Sequence, residues 1–391
     1  MIRLYWIVLA AYLAGCSGWA TGSPAMADPR VSISTRLAHG HGGQLYVANS
    51  ANNTVAVYPF GSIAPANNIS KGICSPFALS IDGSGTLYVA NSCNSVTIYK
   101  PGSTSPSLTI KDGIFSPMAL LVDTRGDLMV LNCGVCGAGH GPTNVAVYKP
   151  GKATPAYIIK KGLGPYSFNM ALDPKGSLYV GNCPHNCFHP VPYYGAPIEQ
   201  GGSVSVYAAG STSPEKTVRA GIDGPFALAF DKNGALYVGN QGDEGSVSVY
   251  APNAMTMLYN NRLGNASASY CKHHIGTQLC FYQQPKSIAF DVSNNMFVAL
   301  AGVPNGVEVY PPGSTAQIAI LRPVPWNCGG GSGNDISIAF APDGTLYMMN
   351  RETFYTPCPN GTIMVYGKED VFPMQTISNG VDDPRAIAVS P

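Results

Sequence analysis

The stretch TLYVANSCNSVTIYKPGSTSP, Thr86–Pro106, decides the fold of this 391-residue chain, because nearly the same sequence occurs seven times. An apolar run that in six copies ends in Asn comes first, and a run of the form V-x-V-Y follows it. Both runs are short, rich in Val, Ile, Tyr and Ala, and bounded by Gly, Pro, Asn or Asp, which is the pattern of β-strands. The copies of the first run are Leu45–Asn49, Leu87–Asn91, Leu128–Asn132, Leu178–Asn182, Leu236–Asn240, Met296–Leu300 and Leu346–Asn350.

Two further runs complete each repeat. A run such as FALSID, Phe77–Asp82, precedes each LYVAN-type run, and a weaker fourth run such as SLTI, Ser107–Ile110, is recognisable in four repeats. In LYVAN the residues on both sides of the strand are apolar, and a strand buried on both faces belongs to a sheet that lies between two others. Four-stranded sheets stacked radially form a β-propeller. We therefore predict an all-β fold, a seven-bladed β-propeller with four antiparallel strands per blade.

The order of the runs predicts how the ring closes. The chain enters the repeats on a second-strand run, Leu45–Asn49, and ends on an unpaired first-strand run, Arg385–Ser390. We expect the C-terminal strand to complete the first blade beside Leu45–Asn49, because closure removes the exposed edges that an open array would leave.

The N-terminal segment predicts export. Arg3 precedes an apolar stretch, Leu4–Leu13, that is too short to span a bilayer. The sequence LAGC, Leu13 to Cys16, resembles the lipobox of bacterial lipoproteins; the resemblance implies lipidation of Cys16 and, with Ser17 next, an outer-membrane or cell-surface location. The alternative is an ordinary signal peptide cut near residues 25–27. We divide the chain into a signal peptide (1–16), a flexible tether (17–36) and one propeller (37–391).

The charge balance excludes one class of partner. The chain carries 22 Lys and Arg against 21 Asp and Glu, for a net charge of +1, and no run of basic residues exceeds two. Nucleic-acid binding needs a basic patch or stripe, so we expect none. We expect a monomer that meets the membrane only through its lipid anchor and whose partner is an envelope protein or a saccharide.

The repeats resemble those of NHL-repeat propellers and, more loosely, gluconolactonase-like and streptogramin-lyase-like propellers. The LYVAN run, the V-x-V-Y run and the A-x-x-D–x-x-G turn carry the likeness, from about Leu37 to the C-terminus. The last two families imply an alternative function, a metal-dependent hydrolase or lyase with its site in the central channel. Neither G-x-S-x-G nor H-E-x-x-H occurs, and we predict no catalytic residue and no cofactor.

The long insertions all fall between second and third strands or between fourth and first strands, which places them on one face of the disc. Insertions gathered on one face of a repeat protein often mark its binding face, although tolerant loops also lengthen without function. Tyr193 and Tyr194 are candidate ligand-binding residues in one of them. The insertions are Cys133–Thr143, Cys183–Gly202, Asn260–Pro285, Pro323–Asp335 and Arg351–Gly361.

Ten cysteines remain once Cys16 is set aside, and an even number in an exported chain favours disulfides. The alternative is a tetrathiolate metal site made by Cys133, Cys136, Cys183 and Cys187, with nearby histidines as further ligands. We expect the disulfides, because the compartment is oxidising. The candidate pairs are Cys74 with Cys93, Cys328 with Cys358, Cys271 with Cys280, Cys133 with Cys136, and Cys183 with Cys187.

The residues that open the first strands form a candidate ligand site at the mouth of the channel. One arc is apolar and two cations lie across the other, a combination that suits an apolar ligand with an anionic end. The alternative is that these side chains plug the channel as ordinary core. We expect the repeated Asn of the second strands to be structural, bonding the turn that follows. Around the ring the candidates are Phe77, Met118, Phe168, Phe226, Lys286, Ile336 and Arg385.

The function predicted from the sequence is therefore that of a binding scaffold. We expect a lipid-anchored, envelope-exposed propeller that holds its ligand on the loop-rich face and performs no catalysis of its own.

Overall fold

A computed structural model describes residues 42–135, 141–183, 201–242, 245–252, 257–263, 284–301, 306–321, 336–351 and 361–391. All of them belong to one compact unit, Gly40–Pro391. These described residues form 28 β-strands and no helix. None of the described segments is therefore a helix long and apolar enough to cross a membrane.

The strands are grouped in seven antiparallel four-stranded sheets. In chain order they are β1 (Gln44–Asn49), β2 (Thr54–Pro59), β3 (Asn67–Ile69), β4 (Pro76–Ile81), β5 (Leu87–Asn91), β6 (Ser95–Tyr99), β7 (Leu108–Ile110), β8 (Pro117–Val122), β9 (Leu128–Asn132), β10 (Asn144–Tyr148), β11 (Tyr157–Ile159), β12 (Met170–Leu172), β13 (Leu178–Asn182), β14 (Ser203–Tyr207), β15 (Lys216–Val218), β16 (Pro225–Phe230), β17 (Leu236–Asn240), β18 (Ser246–Tyr250), β19 (Met257–Arg262), β20 (Gln284–Phe290), β21 (Met296–Ala301), β22 (Gly306–Tyr310), β23 (Ala319–Leu321), β24 (Ile336–Phe340), β25 (Leu346–Asn350), β26 (Thr362–Tyr366), β27 (Gln375–Ile377) and β28 (Pro384–Val389).

The sheets are the blades of a closed propeller, as predicted. Blade 1 has the order β28-β1-β2-β3, and blades 2 to 7 follow as β4 to β7, β8 to β11, β12 to β15, β16 to β19, β20 to β23 and β24 to β27. The first strand of each blade, here called its inner strand, contacts the inner strands of both neighbouring blades, so the seven inner strands surround one axis. The second strands are almost wholly buried, whereas most inner-strand residues are half-buried. This difference is what a solvent-filled central channel produces.

The C-terminal strand closes the ring, which confirms the predicted closure. β28 pairs antiparallel with β1, so that Leu45 lies opposite Val389 and Val47 opposite Ile387. The N–H of Ser390 donates to the carbonyl oxygen of Gln44 at 2.9 Å and extends the pairing by one residue. Blade 1 thus takes strands from both ends of the propeller.

Two features of the blades differ from the sequence prediction. Outermost strands are present in blades 1, 5 and 6 as well, where no fourth run was recognised, namely β3, β19 and β23. The inner strand of blade 4 is only Met170–Leu172, shorter than the run that predicted it. The outermost strands need little apolar sequence, because each pairs with one strand only and most of its residues are not buried.

The two faces of the disc differ in their connections. The short-turn face carries the first-to-second and third-to-fourth turns. There Asp82 accepts hydrogen bonds from the N–H groups of Ser84 and Thr86, and Asp123, Asp173 and Asp231 make the same pair of bonds in their blades. The opposite face, here called the loop-rich face, carries all five long connections, for example 183–202 and 263–283.

Candidate binding ring at the channel mouth

Five of the sequence-predicted site residues are the extra residues of β-bulges. In the pairing of inner strand with second strand, one residue of the inner strand has no partner at its loop-rich end. A bulge turns a side chain out of the regular alternation of a strand and is common beside binding sites. The residues so placed are Phe77, Met118, Phe226, Lys286 and Arg385.

A proline precedes every one of these bulged residues. Pro225, for example, lies opposite Asn240, and the next paired residue is Ala227. Proline has no N–H to donate and is confined in sheets to strand starts, edges and bulges, which accounts for its place at the start of each bulged strand. The residue before the proline has positive φ in four blades, as at Ser75 (46°) and Ser116 (39°). The sequence reads Pro-x-Ala in four of the five bulged strands and Pro-x-Ser in blade 6. This proline is a sequence signal for the bulge that the prediction from strand runs did not use.

The apolar arc of the ring is contiguous across blades 3 to 6. The rings of Phe168 and Phe226 stack with centroids 5.6 Å apart, and Nζ of Lys286 lies 4.5 Å from the centroid of Phe226. Met118 and Tyr166 pack against the same cluster. The structure thus brings together four of the predicted site residues, from four consecutive inner strands, as one surface at the loop-rich mouth of the channel.

Blade 4 brings Phe168 to the ring without a regular strand. Tyr166 and Cys183 form an isolated bridge, and the N–H of Gly181 donates to the carbonyl oxygen of Asn169. Two residues of the connection, Ser167 and Phe168, therefore lie opposite the single residue Asn182 of the second strand. Phe168 is buried, while Met118, Phe226 and Lys286 are half-buried and reach solvent.

The opposite arc, between blades 7 and 1, is ionic. The Arg385 guanidinium donates to the Ser50 hydroxyl at 3.2 Å and lies 3.4 Å from the carboxylate of Asp383. Arg351 pairs with the other oxygen of that carboxylate. Burial alone would raise the pKa of Asp383, but hydrogen bonds from Arg351 and Ser50 and the charges of both arginines lower it. Asp383 therefore stays ionised and holds both guanidinium groups in place.

Ile336 does not belong to the ring, which corrects the sequence alignment. It lies opposite Asn350 in regular register, and β24 has no bulge. Its side chain is buried in the core between blades 6 and 7. Asp335 stands in blade 7 where the five bulged strands have proline, and that is the sequence difference which accompanies the regular register.

The disulfide between Cys74 and Cys93 is present, as predicted, with the two Cα atoms 5.9 Å apart. It joins the connection before β4 to the turn after β5, on the loop-rich face. Cys133 and Cys183 are also disulfide-bonded, so neither offers a thiolate to a metal in this oxidised form. Their predicted partners lie outside the described residues and those pairings stay predictions, as do Cys16, the tyrosines and the other pairs: Cys136, Cys187, Tyr193, Tyr194, Cys271, Cys280, Cys328 and Cys358.

The repeated Asn holds the connection that leads into its own blade rather than the turn that follows, which corrects the predicted partner. Asn132 accepts from the N–H of Phe115 at 3.1 Å and donates to the carbonyl oxygen of Gly113 at 2.9 Å. Asn49, Asn182 and Asn240 make equivalent pairs of bonds in their blades. In blade 6 the position is Leu300, and the connection before that blade is the longest in the chain. The pair of hydrogen bonds made by the repeated Asn is here called the Asn bracket.

The repeated Tyr of the third strands anchors the same connections from the other side. Tyr148 donates to the carbonyl oxygen of Asp112 at 2.6 Å, next to Gly113. Gly113 has φ of 72°, and a Cβ there would lie 2.9 Å from the Tyr148 hydroxyl. Positive φ and this close approach both require glycine. In blades 1 to 5 the third-strand Tyr donates to a backbone carbonyl of the connection that leads into its own blade, whereas Tyr310 and Tyr366 of blades 6 and 7 contact a side chain of their own strand. These bonds help to hold the inner strands of blades 1 to 5 at the channel mouth.

The enzymatic alternative needs several metal-ligating side chains around the axis. Within the residues that the structure describes, no three or more His, Cys, Asp or Glu side chains lie close enough to hold one ion. The chemistry that the ring does offer is non-covalent: stacking and apolar contact on one arc, and charge pairing by Lys286 and Arg385.

Comparison with known proteins identifies the fold. No protein-family model matches the chain, and neither does any curated protein sequence. A crystal structure of a functionally unknown protein from Desulfotomaculum acetoxidans DSM 771 superposes with a TM-score of 0.61, at 13% identity, over 89% of this chain and 98% of that one. Hydrazine synthase from Kuenenia stuttgartiensis superposes with a TM-score of 0.58, at 13% identity, over 78% and 88%.

The chain is a seven-bladed β-propeller. At this level of identity the superpositions support that architecture alone, and function has to be argued from the ring and the faces of the disc.

Proposed function

We propose that this propeller is a binding module of the bacterial cell envelope, and that the ring at the channel mouth is the floor of its ligand site. The observation that carries the proposal is the repeated bulge, which turns one side chain of each of five inner strands out of the regular strand alternation at the loop-rich end. The same device at the same end of five inner strands is what a binding site requires, because bulges re-aim side chains and are common beside functional sites.

The ring chemistry supports a ligand with an apolar surface next to an anionic group. Half-buried Met118 and Phe226 offer the apolar contact. Lys286 and Arg385, on either side of the arc, offer the positive charge, and arginine in particular pairs with carboxylates through two parallel hydrogen bonds. An envelope protein or an acidic saccharide presents this combination.

The propeller's repeats we assign to the NHL type, and its N-terminus to a lipid anchor on Cys16. The LYVAN and V-x-V-Y runs support the first assignment and the LAGC sequence the second. β1 begins at Gln44 on the short-turn face. Because the described chain begins on that face, we place the membrane on its side and the loop-rich face towards ligand.

The test measures binding of envelope extract to the immobilised full-chain protein and to ring variants. We expect Phe226→Ala and Lys286→Ala to lose most of the bound material. The matched control is Phe230→Ala, which removes the same side chain from the other end of the same strand and should bind as the parent does. Equal binding by all four proteins would refute a ligand site at the ring. The mass of the N-terminal peptide reports acylation of Cys16 separately.

A further inference from the structure

Four large apolar side chains project into solvent from the short-turn face of blades 6 and 7. Their exposed fractions are 64% for Val292, 62% for Ile318, 44% for Val371 and 77% for Phe372. Val292 is in the first-to-second turn of blade 6, and the others are in or next to the third-to-fourth turns of blades 6 and 7. Contiguous apolar surface of this kind marks a site of contact with protein or membrane.

A cavity of about 200 Å³ lies between these turns and is lined by Ile318 and Val371. Val292 and Phe372 directly follow the lining residues Asp291 and Val371 in the chain. Ile318 and Val371 stand at its edge, and Phe297, Val309 and Phe340 form its wall. An apolar cavity of roughly 150 Å³ is large enough to bind benzene. This one therefore accepts a hydrocarbon group.

The rim of the cavity is more acidic than basic. Asp291, Glu369 and Asp370 line it together with Lys368. Lys232 adds a second ammonium group beside Val292, to whose carbonyl oxygen its Nζ donates at 3.4 Å. Three carboxylates against two ammonium groups leave a net negative charge, which disfavours anionic lipid or an acidic peptide. A neutral, apolar partner fits it.

The path of the chain indicates which apolar partner lies on this side. β1 begins at Gln44 on the short-turn face, and the carbonyl oxygen of Gly43 accepts from the N–H of Phe60. Phe60 in turn stacks on Tyr347 of blade 7, with centroids 5.9 Å apart. The described chain thus begins on the same face as the patch, in the blade next to blade 7.

We propose that Val292, Ile318, Val371 and Phe372 form a membrane-contact surface that seats on neutral lipid, with the cavity between blades 6 and 7 taking hydrocarbon. The inference rests on the anchoring in the proposed function but not on the ligand ring. Apolar side chains of turns enter the boundary between headgroups and acyl chains, as the apolar faces of interfacial helices do. A short second contact beside a lipid anchor holds the disc flat on the bilayer, with the ring facing outward.

The experiment places a fluorophore in the patch. Full-chain Phe372→Trp protein is reconstituted in phosphatidylcholine vesicles whose acyl chains carry bromine, which quenches indole. The control is Val135→Trp, at an exposed position of the loop-rich face. After subtraction of the parent's emission, we expect at least about a twofold greater loss of fluorescence for Phe372→Trp, unchanged by salt and not increased by phosphatidylglycerol.

Equal quenching of the two variants, or no association with vesicles, overturns the proposal. Blue-shifted Phe372→Trp emission without lipid, together with a doubled mass in light scattering, also overturns it and assigns the patch to a second copy of this chain. If the N-terminal peptide carries no acyl chain while Phe372→Trp is still quenched, the membrane-contact surface is supported and the lipid anchor on Cys16 is refuted. Loss of ligand by ring variants is a separate measurement that neither result changes.

Discussion

The ammonium nitrogen of Lys286 lies 4.5 Å from the centroid of the Phe226 ring, and the two are the bulged residues of adjacent inner strands. A cation over an aromatic face contributes about 0.5–2 kcal/mol, more as water is excluded. This contact joins the apolar arc of the ring to its first cation. A ligand that covers Phe226 therefore meets a positive charge at the same place.

Replacing Phe226 tests whether this side chain contacts a ligand or only packs in the core. We expect Phe226→Ala to reduce ligand binding at least about tenfold and to destabilise the fold less than Phe230→Ala does. Phe230 packs edge-on against Tyr179, with centroids 4.8 Å apart, and its loss should cost about 1–3 kcal/mol. Binding isotherms and urea unfolding of both variants give the comparison. A Phe226→Ala protein that is the less stable of the two, yet binds normally, would identify the residue as core.

The repeat made the architecture predictable to the level of individual strands. Seven LYVAN-type runs with both faces apolar admit no two-layer fold, and an unpaired first strand at the C-terminus specifies where β28 pairs. The outermost strands were the hardest to recognise. Asn67–Ile69 is mostly exposed, with only Ile69 buried, so selection for apolar sequence acts on one position there.

The ring was predictable in its members but not in its geometry. Phe226 and Phe77 follow a proline that opens the strand, and this sequence encodes the bulge. Ile336 was aligned with them by its strand run alone, because the run ISIAF matches FALAF in hydrophobicity and only the missing proline separates them. The stacking of Phe168 on Phe226 depends on the angle between blades 4 and 5, which no local sequence pattern states.

The Asn bracket predicts a specific loss of stability. Asn132→Ala leaves the N–H of Phe115 and the carbonyl oxygen of Gly113 without their partner, and we expect a cost of about 2–3 kcal/mol. Asn68→Ala is the matched control, because Asn68 is exposed on the rim strand β3 and should change stability by less than about 0.5 kcal/mol. Urea unfolding of the two variants measures both. Equal midpoints would show that water replaces the bracket without cost.

The disulfide between Cys74 and Cys93 predicts sensitivity to reduction. It closes a loop with a sequence separation of 19, for which the chain-entropy estimate is a contribution of about 3 kcal/mol. We expect the Cys74→Ser, Cys93→Ser double variant to lower the unfolding free energy by about that amount. Adding reductant to the parent protein should destabilise it by at least as much, since other disulfides are then also lost. If the double variant and the parent have the same unfolding free energy, the disulfide between Cys74 and Cys93 does not stabilise the fold.

The buried tyrosines predict alkaline unfolding in a defined range. Burial raises the pKa of Tyr58 and of Tyr207 from 10.0 to about 12. A raised folded-state pKa gives stability that is fully present below the unfolded value of 10 and is lost as pH rises through about 12. We expect the unfolding midpoint in urea to be flat up to pH 10 and to fall between pH 10 and 12. The tyrosinate absorbance of Tyr207, taken as the difference between the parent and Tyr207→Phe, should rise only as the fold is lost. The unfolding midpoint of Tyr207→Phe should fall less between pH 10 and 12 than that of the parent does, and a Tyr207 difference signal at pH 10 in folded protein would contradict its burial.

Closure of the ring by β28 predicts that the last eight residues are indispensable. Deleting residues 384–391 removes Ile387 from the core it shares with Leu45 and Val47 and leaves β1 as an unpaired edge. An exposed apolar edge strand recruits other chains, so we expect the truncated protein to unfold or to aggregate on expression. Deleting the exposed Pro391 alone is the control and should leave the melting temperature unchanged. A truncated protein that stays monomeric and melts with the parent would mean that blade 1 is stable without its inner strand, and the ring would then not depend on joining the two ends of the propeller.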